Sequence, residues 1–521
     1  MTETQAGQRQ RPEQWAAVAP DRAAVVDGAR QLSYREWNDL ADRLATGLRA
    51  LAPDNDSVCV RLHQGFEWFV VNLALAKLGW EHLAINWRLT PHEVAEIVRD
   101  AGSRIMFLDD ADPSAVRAEL AGHDIRFVSV GSSAAGITSF DALLAASPTR
   151  FTSQHPATMV TYSSGTTGKP KGVRPFVPVD EGDAQQLFEY LGWTEKVSER
   201  KAKRLVAVPR TLITLPLHHG IGPKSAHTCH DRGGTIHLLD RFDPVRTLEI
   251  IARERITHWT TVPTMLQRIR ALPADVLDSF DVGSMRMLAL GSAPSSAGLK
   301  EWVIGYFGNC LYEGYGASET GMVTLMRPRW RAGRLGSCGR LRAHVSVRVV
   351  GPDGHEVPPG VEGELYVRTP STIRNYVNQP PLDGETVTED GYFRIGDVGK
   401  LDEDGFLYIT GRAKDMIIAG GVNIFPSEIE QALADHPDVV EAAVIGVPEK
   451  TFGEQVFAFC EVRAGATVTG PELSEFVSGR LAPFKRPRRI ELVEELPRNE
   501  MDKVVKNELR RPFWEGQESV I

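Results

Sequence analysis

From Leu32 onward, short apolar runs alternate with stretches whose apolar positions recur at helical spacing. Leu32-Ser33-Tyr34-Arg35-Glu36 predicts a strand passing into a helix, with Ser33 as N-cap and Glu36 completing a capping box. Leu40, Ala41, Leu44, Ala45 and Leu48 then fall on one helical face. Val58–Leu62 reads as a buried strand, and Phe66–Leu78 as a mostly apolar helix stopped by Gly79. A strand over His82–Ile85, a helix over Glu93–Asp100 after Thr90-Pro91, and a strand over Ile105–Leu108 continue the series. Such alternation predicts a parallel sheet flanked by helices, an α/β fold. Residues 1–18 are polar and rich in Gln and Arg, and predict a loose arm.

The pattern breaks at Tyr162-Ser163-Ser164-Gly165-Thr166-Thr167-Gly168-Lys169-Pro170-Lys171-Gly172-Val173, which follows the β-prone lead-in Ala157–Thr161. At the end of a strand, backbone N–H groups and hydroxyls of this kind can turn toward phosphate oxygens, with the lysines supplying positive charge. It is not a Walker A loop, which needs Gly-Lys-Ser/Thr opening a helix; here Pro170 pushes Lys169 toward an extended conformation. The stretch resembles the ATP-phosphate loop of the adenylate-forming superfamily, which includes acyl-CoA synthetases, peptide-synthetase adenylation domains and luciferases.

Bulk composition narrows the classes. The chain has 521 residues, 42% hydrophobic and 24% charged, enough for several domains. A net charge of -9 argues against a nucleic-acid partner. Cys59, Cys229, Cys310, Cys338 and Cys460 are scattered without metal-ligand spacing, which points to a reducing cytoplasm. The polar start carries no signal peptide, and no apolar run approaches the roughly 18 residues of a spanning helix.

Further segments along the chain resemble the same superfamily in its own order. Asn86–Glu93 resembles the N-terminal region of acyl-CoA synthetases. Leu215-Pro216-Leu217-His218-His219 is similar to the "LPLFH" motif, placing His219 at the wall and gate of the acyl pocket, with His218 where an aromatic usually stands. Trp259, Thr260, Met322 and Val323 join His219 as pocket candidates. Gly291-Ser292-Ala293-Pro294 resembles the "GGAP" turn that borders adenine, where small residues permit close approach of a flat ring. Leu311–Thr320 resembles "Y-G-x-T-E". The resemblance puts Glu313, Gly314, Tyr315, Gly316 and Ser318 at the nucleotide, with Tyr315 at adenine, Ser318 at the phosphates and Glu319 on Mg²⁺.

Val345–Val350 and Gly363–Arg368 read as antiparallel strands of a small barrel-like subdomain. Gly391–Asp397 is similar to "W-F-x-T-G-D"; Asp397 would accept from both ribose hydroxyls, which an ionised carboxylate can do. Gly411-Arg412-Ala413-Lys414-Asp415 resembles "G-R-x-K-D", with Arg412 at ribose and Lys414 at the hinge. Beyond it, strands over Ala442–Ile445, Val456–Phe459 and Arg489–Val493, with a helix over Glu472–Leu481, predict a small α+β domain. It carries Gly420 and Gly421, and ends in Pro497-Arg498-Asn499-Glu500-Met501-Asp502-Lys503-Val504, similar to "P-R-N-x-x-G-K-V". Lys503 occupies the catalytic lysine position. Asp502 replaces the usual glycine, and is expected to reshape the loop and compete for the lysine.

The resemblance covers almost the whole chain and implies a large N-terminal adenylation domain over 1–412 and a mobile C-terminal domain over 413–521. It implies a stand-alone acyl-CoA synthetase. By that resemblance, ATP and Mg²⁺ would activate a carboxylic acid to an acyl adenylate, and CoA would take the acyl group as a thioester. Catalytic roles fall to Lys503, Glu319 and His219. Ser163, Ser164, Gly165, Thr166, Thr167, Gly168, Lys169 and Lys171 would hold the phosphates. An acceptor other than CoA (an amine, nitrite, oxygen or a carrier-protein thiol) and a non-catalytic acyl-binding homologue are the alternatives. Arg174-Pro175-Phe176, unusual for the family, suggests a bulky or biosynthetically specialised acid. A homodimer would be unsurprising.

Overall fold

The computed structural model describes residues 11–131, 136–151, 158–164, 170–178, 180–191, 208–420, 422–449, 451, 453–499 and 502–515. The chain divides into two compact units. One gathers the chain up to Phe242 with Ile256–Thr260 and Pro370–Asp383; the other comprises Asp243–Arg255, Thr261–Thr369 and everything from Gly384.

The first unit is built on two sheets. One runs in the order Thr138–Ser139, Arg126–Ser129, Ile105–Leu108, Ser57–Arg61, Glu81–Ala84, Met159–Ser164, Pro170–Val173. Its pairs are parallel apart from the last, an antiparallel hairpin that sets Ser163 opposite Lys171 and Ser164 opposite Pro170. Pro170 thus opens an edge strand, where a missing N–H is tolerated. In the other sheet His258–Thr261, Arg210–Ile213, Thr235–Leu238 and Ala23–Asp27 are parallel neighbours, and Arg30–Ser33 closes the edge antiparallel.

Local chemistry explains the helices. The Tyr34–Leu51 helix starts at the expected capping box: Glu36 N donates to Ser33 Oγ at 3.2 Å and Ser33 N to the Glu36 carboxylate at 2.9 Å. Thr90 and Glu93 repeat the device at Pro91–Ala101. Phe66–Leu78 is apolar nearly all round, as a helix buried on most sides must be, and ends at Gly79 with φ of 71°. It is joined to Tyr34–Leu51 by a buried ion pair, Lys77 Nζ to Asp42 Oδ1 at 2.6 Å, with Asn38 as a second acceptor.

One expectation changes. Pro12–Val18 is a helix rather than part of a loose arm, with Pro12 at its first position. Trp15 anchors it, packing near Tyr34 and filling the space where a Cβ on Gly233 would sit. A single large aromatic outweighed the polar composition around it. Arg174 is committed to structure: its guanidinium forks the Glu81 carboxylate at 2.7 and 2.9 Å, tying the edge strand to Glu81–Ala84.

In the second unit Met287–Leu290 and Leu311–Glu313 pair in parallel. The expected barrel-like subdomain is a six-stranded antiparallel sheet ordered Thr324–Leu325, Gly339–Leu341, Phe406–Arg412, Phe393–Leu401, Gly363–Arg368, Ser346–Val350. From Ile417 the chain forms a further sheet around the long hairpin of Val439–Glu449 and Gly453–Val462, with Arg489–Val493 added in parallel. The period of two along Val439–Glu449 fills two cores. Ala442 and Val444 face Ile429, Leu433, Leu473 and Val477, while Ala443, Ile445 and Val447 face Phe457, Phe459 and Leu496. No helix among the described residues is long and apolar enough to cross a membrane.

Two predictions follow from buried polar groups in the first unit. His82 and His230 are buried, and burial pushes both down to about 3 from the ordinary imidazole value. Their neutral forms stabilise the fold fully above pH ~6.5, and that contribution is lost as pH falls toward 3, because only the unfolded chain takes up the protons. Urea midpoints measured from pH 7 to pH 5 should therefore fall more steeply for the natural chain than for His230→Gln. Lys77→Met should cost about 3–5 kcal/mol in the same assay by stranding Asp42, and adding Asp42→Leu should recover most of it.

Candidate active site

The second unit builds a polar centre around Asp397. Asp397 and Arg412 are cross-strand neighbours, and Arg412 Nε donates to Asp397 Oδ1 at 3.0 Å. Tyr315 Oη donates to the other oxygen at 2.6 Å. Burial, then the neighbouring carboxylate, push the Tyr315 hydroxyl well above its usual value, so it stays a donor. Each carboxylate oxygen has two lone-pair positions, so both retain room for a second donor. Two vicinal hydroxyls suit such a carboxylate, and Arg412, whose side chain is largely exposed, is free to follow them. The sequence placed Tyr315, Asp397 and Arg412 at one nucleotide; the structure brings the three together.

Gly291, Ser292, Ala293 and Pro294 follow Met287–Leu290 as a turn lying against Gly314. Gly314 N donates to Leu290 O, and a Cβ on Gly291 would stand 3.3 Å from Gly314 O. Ser292 holds φ of 71°, the left-handed region that L residues other than Asn and Asp rarely adopt. Strain of this kind gathers at binding sites. Beside the turn, Glu313 is buried and takes Lys300 Nζ at 2.8 Å, Arg331 at 3.1 Å and Ser295 Oγ at 3.3 Å. Its carboxylate is spent on that network, so its contribution to a nucleotide site is the placement of Gly314 and Tyr315. Lys300 and Arg331 escaped the sequence reading; a lone lysine in the apolar Ala297–Phe307 helix was the signal.

Gly316–Ala317 and Gly321–Met322 form a small hairpin with an exposed Ser318 and a half-buried Glu319 at its tip. A Cβ on Gly316 would come within 2.1 Å of Gly321 O, so only glycine allows the crossing. Thr320 behind the tip is fully buried, and its carbonyl accepts from Thr369 Oγ1 at 2.6 Å. No group of three or more metal-ligand side chains occurs among the described residues. A single carboxylate is the donor set Mg²⁺ uses when nucleotide phosphates supply the remaining oxygens, and Glu319 fits that chemistry.

In the first unit, Lys171 extends from the edge strand with Nζ 4.9 Å from the centre of the Tyr376 ring. Ser163 and Ser164 end Met159–Ser164, at the carboxyl end of a parallel strand where ligands of open α/β sheets bind. Gly165, Thr166, Thr167, Gly168 and Lys169 lie outside the described residues, as does Gly421. His219 sits half-buried in the turn before Ile221–His230, its ring 4.8 Å from that of the buried His218. Among the pocket candidates, Trp259 and Val323 are core residues, fully buried; Trp259 Nε1 donates to Thr214 Oγ1 at 3.1 Å.

Toward the C-terminus, Lys414 is exposed in the turn Ala413–Asp415 after the Phe406–Arg412 strand. Gly420, at φ of 60°, turns the hairpin of Ile417–Ala419 and Val422–Ile424. Lys503 follows a tight turn in which Asp502 N donates to Asn499 O at 2.9 Å and Asn499 N to Lys503 O at 2.9 Å. Asp502 keeps a glycine-like backbone, φ 59°, a region aspartate tolerates better than most residues. Its carboxylate faces Arg498, with Oδ1 3.9 Å from Nε.

Comparison with known proteins bears on this arrangement. The AMP-binding enzyme family matches residues 12–377, and the AMP-binding enzyme C-terminal domain matches 428–503. An indoleacetate–CoA ligase from Aromatoleum aromaticum is 34% identical over 507 residues, 95% of this chain and 96% of that protein. The crystal structure of ATP-bound MatB from Rhodopseudomonas palustris superposes with a TM-score of 0.79 at 30% identity, over 97% of this chain and 99% of that one. The amide bond synthetase McbA from Marinactinospora thermotolerans gives a TM-score of 0.79 at 28% identity, over 94% and 97%. With both of its family regions matched in order along one chain, the protein belongs to the AMP-binding enzyme family.

Proposed function

We infer that the chain is an acid–thiol ligase that activates a carboxylic acid with ATP and passes the acyl group to CoA. The observation that carries this reading is Asp397 held between Tyr315 and Arg412, in a family of AMP-binding enzymes. A carboxylate is a poor electrophile. Its oxygen attacks the α-phosphorus of ATP, the bond to pyrophosphate breaks, and an acyl adenylate remains. The CoA thiol, losing its proton, then attacks the acyl carbon and AMP departs.

Such chemistry needs placement and charge compensation more than a covalent nucleophile. Asp397 and Arg412 hold ribose, Tyr315 and the Gly291–Pro294 turn flank adenine, and Ser163 to Lys171 with Ser318 hold the phosphates. Lys503 bridges the carboxylate and α-phosphate oxygens as negative charge gathers there. Glu319 would hold Mg²⁺, which relieves charge on the phosphates when bound. His219 stands at the wall of the acyl pocket. Residues 1–412 act as the adenylating domain and 413–521 as a domain that turns about Lys414. That turn withdraws Lys503 and presents Gly420 and Gly421 to the pantetheine. The five unpaired cysteines suit a cytoplasmic location, and a homodimer is the assembly to test by light scattering.

An amine acceptor is the second reading, favoured by the likeness to an amide bond synthetase. Both readings share the first half-reaction. Acid-dependent exchange of labelled pyrophosphate into ATP should fall at least ~100-fold in Lys503→Ala, the loss expected of an electrostatic catalytic group. Asp397→Asn should raise the KM for ATP by about 10-fold or more, the worth of a charge-assisted hydrogen bond. Exchange at the natural rate in Lys503→Ala would overturn the assignment of the lysine.

A further inference from the structure

The hairpin that carries Lys503 is wired to the body of the second unit by a chain of polar contacts. Arg498 and Val504 pair across its base, and Leu496 is buried beneath it with Val504 packed alongside. The Arg498 guanidinium, nearly buried, pairs with the Glu441 carboxylate through Nη1 and with Glu461 through Nη2 at 2.7 Å. Nη1 also reaches the Asp502 carbonyl at 3.4 Å. Glu441 faces the other way too: its Oε1 accepts from Thr264 Oγ1 at 3.5 Å, on the helix Pro263–Arg270. The route Thr264, Glu441, Arg498, Asp502 therefore runs from that helix to the residue before Lys503.

Neighbouring contacts follow the same seam. Arg463 Nη2 donates to Arg270 O at 3.4 Å, and a Cβ on Gly298 would meet Asp435 Oδ1 at 2.7 Å. The charges are unevenly divided. Three carboxylates, Glu441, Glu461 and Asp502, surround one guanidinium, and the helix facing them brings Arg268, which attracts Asp502. Burial pushes the Asp502 carboxyl up, against the pull of Arg498 and Arg268. Asp502 Oδ2 is buried and takes no hydrogen bond among the described residues.

Ionic groups are a poor way to gain stability, because apolar residues of similar volume hold a permanent contact as well or better. The link that crosses to the helix is itself polar, Thr264 to Glu441, which suits a contact that opens, since both groups recover water when the faces part. We propose that Thr264, Glu441, Arg498 and Asp502 form an electrostatic latch. It holds the Lys503 hairpin against the Pro263–Arg270 helix, with Glu441 and Asp502 as positioning residues for the lysine. On this account the aspartate that replaces glycine is a working part of the latch. It keeps the left-handed backbone and adds a charge that glycine could not supply. This inference rests on the reading of Lys503 as the adenylating lysine.

The test uses the full chain. Cysteines introduced by Asp275→Cys and Glu475→Cys, both at exposed helical positions, carry a fluorescent pair that reports docking without any substrate. Asp502→Asn removes the charge but suits a left-handed backbone, and Asp502→Gly removes the charge and relaxes the backbone. Thr264→Val and Glu441→Gln break the route at other links. Each should shift the transfer distribution away from its docked value and slow pyrophosphate exchange by about 5- to 20-fold, the range of coupled polar contacts. Thioester formation from supplied acyl adenylate should change less than ~2-fold, and Thr264→Val with Asp502→Asn should be no worse than the stronger single change. An unaltered distribution, additive effects, or equal loss in both half-reactions would overturn the latch. Absence of any adenylate from the unmodified chain would instead overturn the functional reading, and the fluorescence result would still stand.

Discussion

A carboxylate can be buried only where charge or hydrogen bonds replace its water, and the candidate site is organised around two that meet this condition. Glu313 ends a parallel strand and is neutralised by Lys300 and Arg331; Asp397 is held by Tyr315 and Arg412. Tyr315 lies two residues from the first and bonds the second. The strand end, the Gly291–Pro294 turn against Gly314 and the six-stranded sheet that supplies Asp397 are thereby fixed relative to one another. Removing either of the Glu313 cations would leave a buried charge uncompensated at the point where this geometry is set.

Much of this architecture was legible in the sequence because its determinants are local. Capping boxes at Ser33 and Thr90, the stop at Gly79, and alternating strands depend on residues a few positions apart. The motif residues were legible by resemblance, and among them Tyr315, Asp397 and Arg412 share one set of hydrogen bonds. Non-local partnerships were not legible. Glu313 and Arg331 are 18 residues apart, Glu441 and Arg498 57, and Glu81 and Arg174 93. No periodicity encodes such pairs. Trp259 and Val323 are pocket candidates by their neighbours in the chain, and how deeply both are buried was not legible there. Trp15 shows the converse, one ring ordering a helix in a segment whose composition reads as loose.

The departures from the family pattern divide by mechanism. Arg174 is absorbed by an ion pair within a sheet, so it bears on folding. Ser292 and Asp502 both occupy left-handed backbone that glycine would take without strain. Each accepts that strain for a side chain: a hydroxyl in the Gly291–Pro294 turn, and a carboxylate beside Arg498. In both cases the fold conserves the conformation and lets the sequence change the chemistry.

The central claim is that this chain joins a carboxylic acid to CoA through an adenylate. Mass spectrometry tests it directly, after incubation with ATP, Mg²⁺, CoA and a pooled library of carboxylic acids. The account predicts an acyl-CoA mass with matching AMP, lost in Lys503→Ala. Adenylate and AMP without thioester, with the acyl group appearing on a supplied amine, would contradict it and assign the chain to amide synthesis.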